Sequence, residues 1–272
     1  MKSQVLGIMR DRKFSPNHVS NDAIIIRLTA EKLREQGFDV KLMSESEFVK
    51  TPVKFDAYLT MGRNDKTLEK LAEIAKEGSL VVNSPKGVYN AFREALVDIF
   101  NNSNVPIPKS VVVNASSFDP AQLDGLAAGK LWLKRENHTL HREDVTPIYS
   151  MPELVGTIKE FKRRGIKKSV VQEHKVGSEV KFYGVRGTDF FSWYYVNGLI
   201  HNKFNEEELI SISNRASELT DVLIYGGDAI ISDAGEISII DFNDWPSFAP
   251  VKEEASSAIA RLVSEIMKNG GI

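Results

Sequence analysis

The chain has 272 residues, is 42% hydrophobic and 26% charged, and carries a formal net charge of -2. These are ordinary values for a soluble globular protein of one large domain or a few small ones, and they give no sign of a nucleic-acid-binding surface. It contains no cysteine, which excludes disulfides, thiolate metal sites and a thiol nucleophile.

Residues 5–9 predict a buried strand, too short for the apolar region of a secretory signal. A loop with Pro16 and Asn17 follows. Residues 22–36 show helical spacing, with Ile25, Leu28, Thr29 and Leu33 on one face and Gly37 placed to end the helix. Strands are expected at 40–43, 55–61 and 80–82, with a helix at 66–76 striped by Leu68, Leu71, Ala72 and Ala75. This alternation predicts a small α/β domain with a mainly parallel sheet. Ligands of such sheets sit beyond the C-terminal strand ends. That rule alone singles out Arg10, Ser15, Asn17 and His18 after the first strand and Arg63 after the third. Arginines there can grip a carboxylate or phosphate bidentately.

A second region starts near Asn83-Ser84-Pro85. It predicts a helix at 88–101, a break at Val105-Pro106-Ile107-Pro108, strands at 109–113, 131–134 and 169–173, and a helix at 151–164 with an apolar face of Leu154, Ile158 and Phe161. The last region is strand-rich, at 180–186, 189–196, 199–204, 227–231 and 237–242, with Asn197-Gly198 as a two-residue hairpin signal. Helices are expected at 206–219 and 253–267. Trp193-Tyr194-Tyr195 reads as a half-buried strand, with an aromatic acceptor platform as the alternative. No segment approaches the roughly 18 apolar residues of a membrane span, so a cytoplasmic protein is the default expectation.

The most informative stretch is Gly226-Gly227-Asp228-Ala229-Ile230-Ile231 and then Ile237 to Ser247, two apolar runs around the turn sequence Ser232-Asp233-Ala234-Gly235-Glu236. It reads as a β-hairpin with Asp228 at the start of one strand and Asp241 at the end of the other, so the two ends meet. Asn243 lies two residues past Asp241 and shares its face if the chain stays extended. Two carboxylates and an amide are hard oxygen ligands that suit Mg²⁺. Solvated acids at a turn give the same pattern, because Asp and Asn are common turn residues.

Taken in order, these pieces resemble an ATP-grasp protein over nearly the whole chain. The resemblance rests on Gly227-Asp228, then Ile240-Asp241-Phe242-Asn243, then Pro246-Ser247. Its flavour is closest to the ribosomal-modification and glutathione-type ligases and to the inositol trisphosphate kinases. It implies a mixed α/β and α+β fold in three parts. These are a Rossmann-like N-terminal (pre-ATP-grasp) domain at 1–83, an α+β lid at 84–175, and a C-terminal subdomain carrying a magnesium site at 176–272.

The resemblance also implies residue roles. Asp228, Asp241 and Asn243 would hold Mg²⁺. Lys134 matches the lid lysine on the nucleotide phosphates, and Arg93 falls where the family often has a first phosphate-contacting lysine. Gln172, Glu173, His174 and Val176 fall on the adenine hinge, and Lys181 on a basic position in the following strand. A surface lysine, a solvated helix face and a solvent-facing strand lysine are the plainer readings of Lys134, Arg93 and Lys181. The segment Arg135-Glu136-Asn137-His138-Thr139-Leu140-His141 corresponds to a flap that is glycine-rich in relatives and has no glycine here. His138 and His141 could donate to phosphate in place of backbone amides, or be ordinary polar loop residues. Ser247 replaces the usual glycine after Pro246, which bears on acceptor preference. No P-loop motif and no His-Glu-x-x-His or cysteine cluster competes with this reading.

The expected activity is ATP- and Mg²⁺-dependent ligation of a carboxylate to an amine through an acyl phosphate. The alternative is a kinase transferring the γ-phosphoryl to a hydroxyl. The expected partner is a small-molecule acceptor, with neither nucleic acid nor membrane involved and a homodimer left open.

Overall fold

The computed structural model describes residues 2–12, 19–52, 54–126, 129–137, 141–196 and 198–269. The chain begins with β1 (Gln4–Met9), α1 (Val19–Glu35), β2 (Asp39–Ser44), α2 (Glu45–Lys50), β3 (Ala57–Thr60), α3 (Asp65–Lys76) and β4 (Leu80–Val82). The four strands pair in parallel in the order β2-β1-β3-β4. Helices cover both faces, α1 and α8 packing on Val5, Ala57 and Leu59 and α2 and α3 on Leu6, Ile8 and Tyr58, so residues 5–8 of β1 and all of β3 are buried, as in a sheet covered on both sides. Gly37, at φ 94°, turns the chain out of α1 in the left-handed region. Helix α2 was not expected from apolar periodicity. It is only six residues long and is started by a capping box between Ser44 and Glu47.

The middle of the chain forms α4 (Pro85–Asn90), α5 (Arg93–Asn101), β5 (Ser110–Asn114), β6 (Leu131–Arg135), β7 (Val145–Ile148), α6 (Met151–Arg163) and β8 (Lys168–Glu173). The helix expected at 88–101 is corrected to two. Ser84 caps the first, and Phe92 at φ -72°, ψ 139° is extended backbone that restarts the second at Arg93. The strands form an antiparallel sheet ordered β5-β8-β6-β7. Strand β7 contains Pro147 and sits at the edge, where a missing backbone donor is tolerated. Val113, Leu133 and Val171 pack on Leu154, Ile158 and Phe161 of α6. The opposite face presents Ser110, Gln172 and Trp132, which are register partners across three strands.

The last part comprises β9 (Ser178–Val185), β10 (Phe191–Tyr195), α7 (Glu206–Thr220), β11 (Ile224–Ile231), β12 (Ile237–Asp244) and α8 (Lys252–Asn269). Its antiparallel sheet is ordered β10-β9-β11-β12. The strand expected at 199–204 does not form. Asn202 instead ties the chain down, its N–H donating to Ser178 Oγ at 2.8 Å and its amide to the Ile231 carbonyl at 2.9 Å. Leu199 and Ile200 project into solvent. Asn197 of the expected hairpin turn lies outside the described residues.

One apolar core joins α5 (Leu96, Phe100) and α7 (Leu209, Ala216) to Val180, Phe182, Ala229, Ile239 and Phe242 of this sheet. Another joins Ile25, Ile26 and Leu33 of α1 to Ile259, Leu262, Val263 and Ile266 of α8. The first and third sheets are also stitched by Asn83. Its side chain accepts from Leu223 N–H and Ile224 N–H at 2.9 Å and donates to the Ile224 carbonyl at 2.9 Å. Among the described residues, no helix is long and apolar enough to cross a membrane.

Candidate functional site

The second and third sheets face each other across a cleft of about 440 Å³. The register of the third sheet builds its floor. Lys181 of β9, Asp228 of β11 and Asp241 of β12 are direct cross-strand partners and form one row. Asn243 opposes Gly226 in the next row of the same face. A β-bulge lies just after the Asp228–Asp241 pair, because Ala229 is matched to Ile239 and Ile240 is extra. The Ile240 carbonyl accepts from Lys134 Nζ at 2.8 Å, which brings the second sheet's lysine onto the third sheet's acids.

Glycine at 227 is required by this packing. A Cβ there would lie 2.5 Å from both the Asp241 carbonyl oxygen and Phe182 Cζ. Close strand approach beside the acids therefore demands a residue without a side chain.

Three cations converge on the two acids. Lys181 is ion-paired with Asp228. Arg93 lies 3.5 Å from Asp241 and donates to the Arg135 and Asn137 carbonyls at 3.4 Å. Its position follows from the restart of α5 at that residue. Glu94 N–H donates to the Glu136 carbonyl at 2.9 Å, so the same helical turn holds the segment after β6. Lys134 is buried, 7% exposed, and donates to Gln172 Oε1 at 2.7 Å.

These surroundings split the acids. Burial raises Asp241, but Arg93 and Lys134, helped by Asn243 and Lys181, outweigh it and bring the carboxyl down to about 2. Burial dominates at Asp228 and raises it, opposed by Lys181 and reinforced by Asp241. Burial lowers Lys134 to about 8, with Asp241 pulling it up and Arg93 pushing it down. Glu179 also lines the cleft, and burial with the neighbouring Asp228 raises it.

The hinge forms the cleft's other end, where Gln172, Glu173, His174, Lys175, Val176 and Gly177 line the wall. Gln172 directs its side chain towards Lys134, and its amide nitrogen donates to Ser110 Oγ at 3.1 Å. His174 Nδ1 accepts from Trp132 Nε1 at 3.2 Å. Burial and the nearby Lys130 lower His174, which matches its role as a neutral acceptor. Glu173 and Val176 complete the rim, and Val176 is exposed.

The remaining candidates are scattered. Arg10 and Arg63 stand at the ends of β1 and β3, as the strand-end rule expects, but they are buried against Asp22 and Asp244. His141 is exposed at the start of a short 3₁₀ turn and does not line the cleft. Ser247 sits half-buried beyond β12. Asn17, His18 and His138 lie outside the described residues. Trp193 and Tyr195 pack on Phe204, away from the acids, whereas Tyr194 is the register partner of Lys181.

Sequence reasoning missed Glu179 and Trp132. Each lies two residues before a chosen lysine, so the period-two alternation of a strand could have found both. Asp22, Glu45, Ser110 and Asp244 were also missed, since their roles depend on distant partners.

The donor set fits Mg²⁺. Asp228, Asp241 and Asn243 offer hard oxygens, and Asp241 is held ionised. Among the described residues, no three acidic or imidazole side chains form a self-contained metal site. Two carboxylates suffice where phosphate oxygens complete an octahedral shell.

No family model and no curated protein sequence matches the chain. Solved structures do. D-alanine–D-alanine ligase from Bacillus anthracis complexed with ATP is similar with a TM-score of 0.73 at 11% identity, covering 100% of both chains. A RimK domain ATP-grasp protein from Sphaerobacter thermophilus is similar with a TM-score of 0.69 at 17% identity, covering 96% of this chain and 99% of that one. The ATP-grasp ligase PsnB complexed with minimal precursor, Mg and ADP is similar with a TM-score of 0.66 at 13% identity, covering 97% and 98%. The chain therefore has the ATP-grasp fold, built from a parallel N-terminal sheet and two antiparallel sheets around a cleft.

Proposed function

We propose that this protein is an ATP- and Mg²⁺-dependent ligase that joins the carboxylate of one small molecule to the amine of another. The observation that carries the reading is the row Lys181–Asp228–Asp241, faced by Lys134 and Arg93, at the end of a cleft that opens onto the hinge. Support comes from two solved structures of the same fold that are named as ligases, one complexed with ATP and the other with Mg and ADP.

In this reading, the adenine lies against residues 172–177 and the phosphates run towards the acids. Bound by Asp228, Asp241 and Asn243, Mg²⁺ would supply charge screening between phosphate oxygens. Lys134, Arg93 and Lys181 neutralise what remains, and Lys181 and Arg93 exchange carboxylate partners for phosphate oxygens. A carboxylate oxygen of the acceptor attacks the γ-phosphorus as the bond to ADP breaks, giving an acyl phosphate. The amine nitrogen then attacks the acyl carbon, phosphate leaves, and the amine loses a proton. Catalysis is mainly positioning and electrostatic stabilisation of the transferred group.

The test is a screen of paired acid and amine libraries for release of ADP and phosphate, with products read by mass spectrometry. A product equal to acid plus amine minus water supports ligation. A phosphorylated alcohol formed without an amine would replace ligation with kinase activity. No ATP turnover and no thermal stabilisation by ATP with Mg²⁺ would overturn the reading entirely.

A further inference from the structure

The two arginines at the ends of β1 and β3 converge on the turn that follows the proposed metal ligands. All three guanidinium nitrogens of Arg10 are engaged. Nε donates to the Met61 carbonyl at 2.9 Å, one terminal nitrogen to Asp22 at 3.1 Å, and the other to the Trp245 carbonyl at 3.1 Å. Arg63 donates to the Asp244 carbonyl at 3.2 Å and to its carboxylate at 2.5 Å. The Arg63 and Asp244 side chains are 10% and 1% exposed.

Glu45 holds the loops that carry this pair. Its buried carboxylate accepts from the N–H groups of Asp11 at 2.8 Å, Arg63 at 2.7 Å and Asn64 at 2.8 Å. The turn it serves is strained. Trp245 and Phe248 are non-glycine residues at φ 33° and 49°. Such conformations persist only where the surroundings over-determine them. Trp245 is over-determined, since its N–H donates to the Ile224 carbonyl at 2.9 Å while its carbonyl accepts from Arg10.

We propose that Arg10 and Arg63 are positioning residues, a latch by which the N-terminal sheet holds the Asp244–Trp245 turn and thereby sets the Asp241 and Asn243 side chains for metal. This rests on the reading of Asp241 and Asn243 as metal ligands given above. Asp244 directly follows Asn243 and points the other way along the strand. Its pairing with Arg63 therefore fixes the rotation of β12 about its axis without occupying the cleft. Partners outside a metal's ligand shell act in this manner, by orienting the ligands.

The test measures Mn²⁺ affinity in the presence of ADP by electron paramagnetic resonance, alongside ADP affinity in EDTA, for wild type, Arg63→Ala, Arg63→Lys and Asp244→Asn. Arg63→Ala and Asp244→Asn should weaken Mn²⁺ by about 10–100-fold while metal-free ADP binding stays unchanged, and Arg63→Lys should recover part of the loss. Unchanged Mn²⁺ affinity overturns the latch, as does a parallel loss of metal and metal-free nucleotide affinity, which marks a general structural role. Asp244→Asn decides the matter if circular dichroism shows that Arg63→Ala is unfolded. Wild-type protein that takes up no Mn²⁺ with ADP overturns the metal reading and the latch together; wild-type uptake with indifferent variants overturns the latch alone.

Discussion

Gln172 holds Lys134 in place from within the second sheet. Its amide oxygen accepts from Lys134 Nζ at 2.7 Å, and its amide nitrogen donates to Ser110 Oγ at 3.1 Å. The Ser110 hydroxyl in turn donates to the Pro108 carbonyl at 2.8 Å. This chain of donors leaves the amide only one sensible orientation. Gln172→Leu removes it and leaves Lys134 with the Ile240 carbonyl alone from this pair of acceptors. The variant should lose about 1–3 kcal/mol of stability, the cost of stranding buried polar partners. Its ATP affinity should fall as well. Urea unfolding and nucleotide titration check both, and an unchanged unfolding midpoint would contradict the assignment.

The lowered Lys134 predicts how nucleotide binding depends on pH. With the ammonium at about 8 in the free protein, it is charged at neutral pH and binding requires no extra proton there. Phosphates nearby favour the charged form, so above about pH 8 binding must take up a proton. ATP affinity should therefore fall as pH rises beyond that point. Calorimetry in two buffers of different ionisation enthalpy should show proton uptake on the alkaline side, and Lys134→Met should abolish it.

Asp241 makes a stability prediction of the opposite sense. Its folded value of about 2 lies below its ordinary 3.8. A depressed carboxyl contributes stability that is present above the unfolded value and disappears as pH falls through the folded one. The contribution is roughly 2 kcal/mol at neutral pH. Asp241→Asn should forfeit it at pH 7 and flatten the acid limb between about pH 4 and 2. The same variant should reduce ATP turnover by at least about 100-fold, the scale of losing one preorganised electrostatic group. A turnover assay across Mg²⁺ concentrations, run beside acid unfolding, measures both.

Gly227→Ala places a methyl group against the Asp241 carbonyl oxygen and the Phe182 ring. Backbone cannot yield there without disturbing the β11–β12 ladder. Overpacking of this kind costs about 1–3 kcal/mol. Here it should also shift Asp241 and raise the Mg²⁺ requirement. An alanine variant with wild-type melting temperature and metal dependence would show that the strands have more slack than their spacing implies.

Much of the architecture was legible because its signals are local. The parallel strands announced themselves as short apolar runs, and α3, α6 and α8 by apolar residues at helical spacing. The Asp228–Asp241 encounter followed from a hairpin around a recognisable turn. Elements that depend on context were not legible in this way. Residues 199–204 follow a hairpin signal, Asn197-Gly198, but form no strand, and Asn202 ties them to Ser178 and Ile231 instead. The expected helix at 88–101 divides at Phe92, whose side chain carries no local breaking signal.

In the site, proximity along a strand predicted better than proximity through space. Asn243 was accessible from Asp241 by counting two residues. Asp244, Glu45 and Asp22 matter through partners that are 12 to 181 positions away, and no short window contains both members of such a pair. Gln172 was placed at the hinge by resemblance, while its bond to Lys134 spans 38 positions and two strands.

The pairing of α1 with α8 has a consequence for biogenesis. Ile25, Ile26 and Leu33 share one core with Val5, Val40, Ala57 and Leu59 of their own sheet and with Ile259, Leu262 and Val263 of α8, so the part of that core that α8 closes stays open until residues 252–269 have left the ribosome. Nascent chains therefore emerge with an oily ridge open to solvent through most of synthesis, a state in which holdase chaperones would find a substrate. Premature termination anywhere before residue 252 would leave the N-terminal third permanently unsealed, so truncated products should aggregate or be degraded rather than survive as a free Rossmann-like fragment.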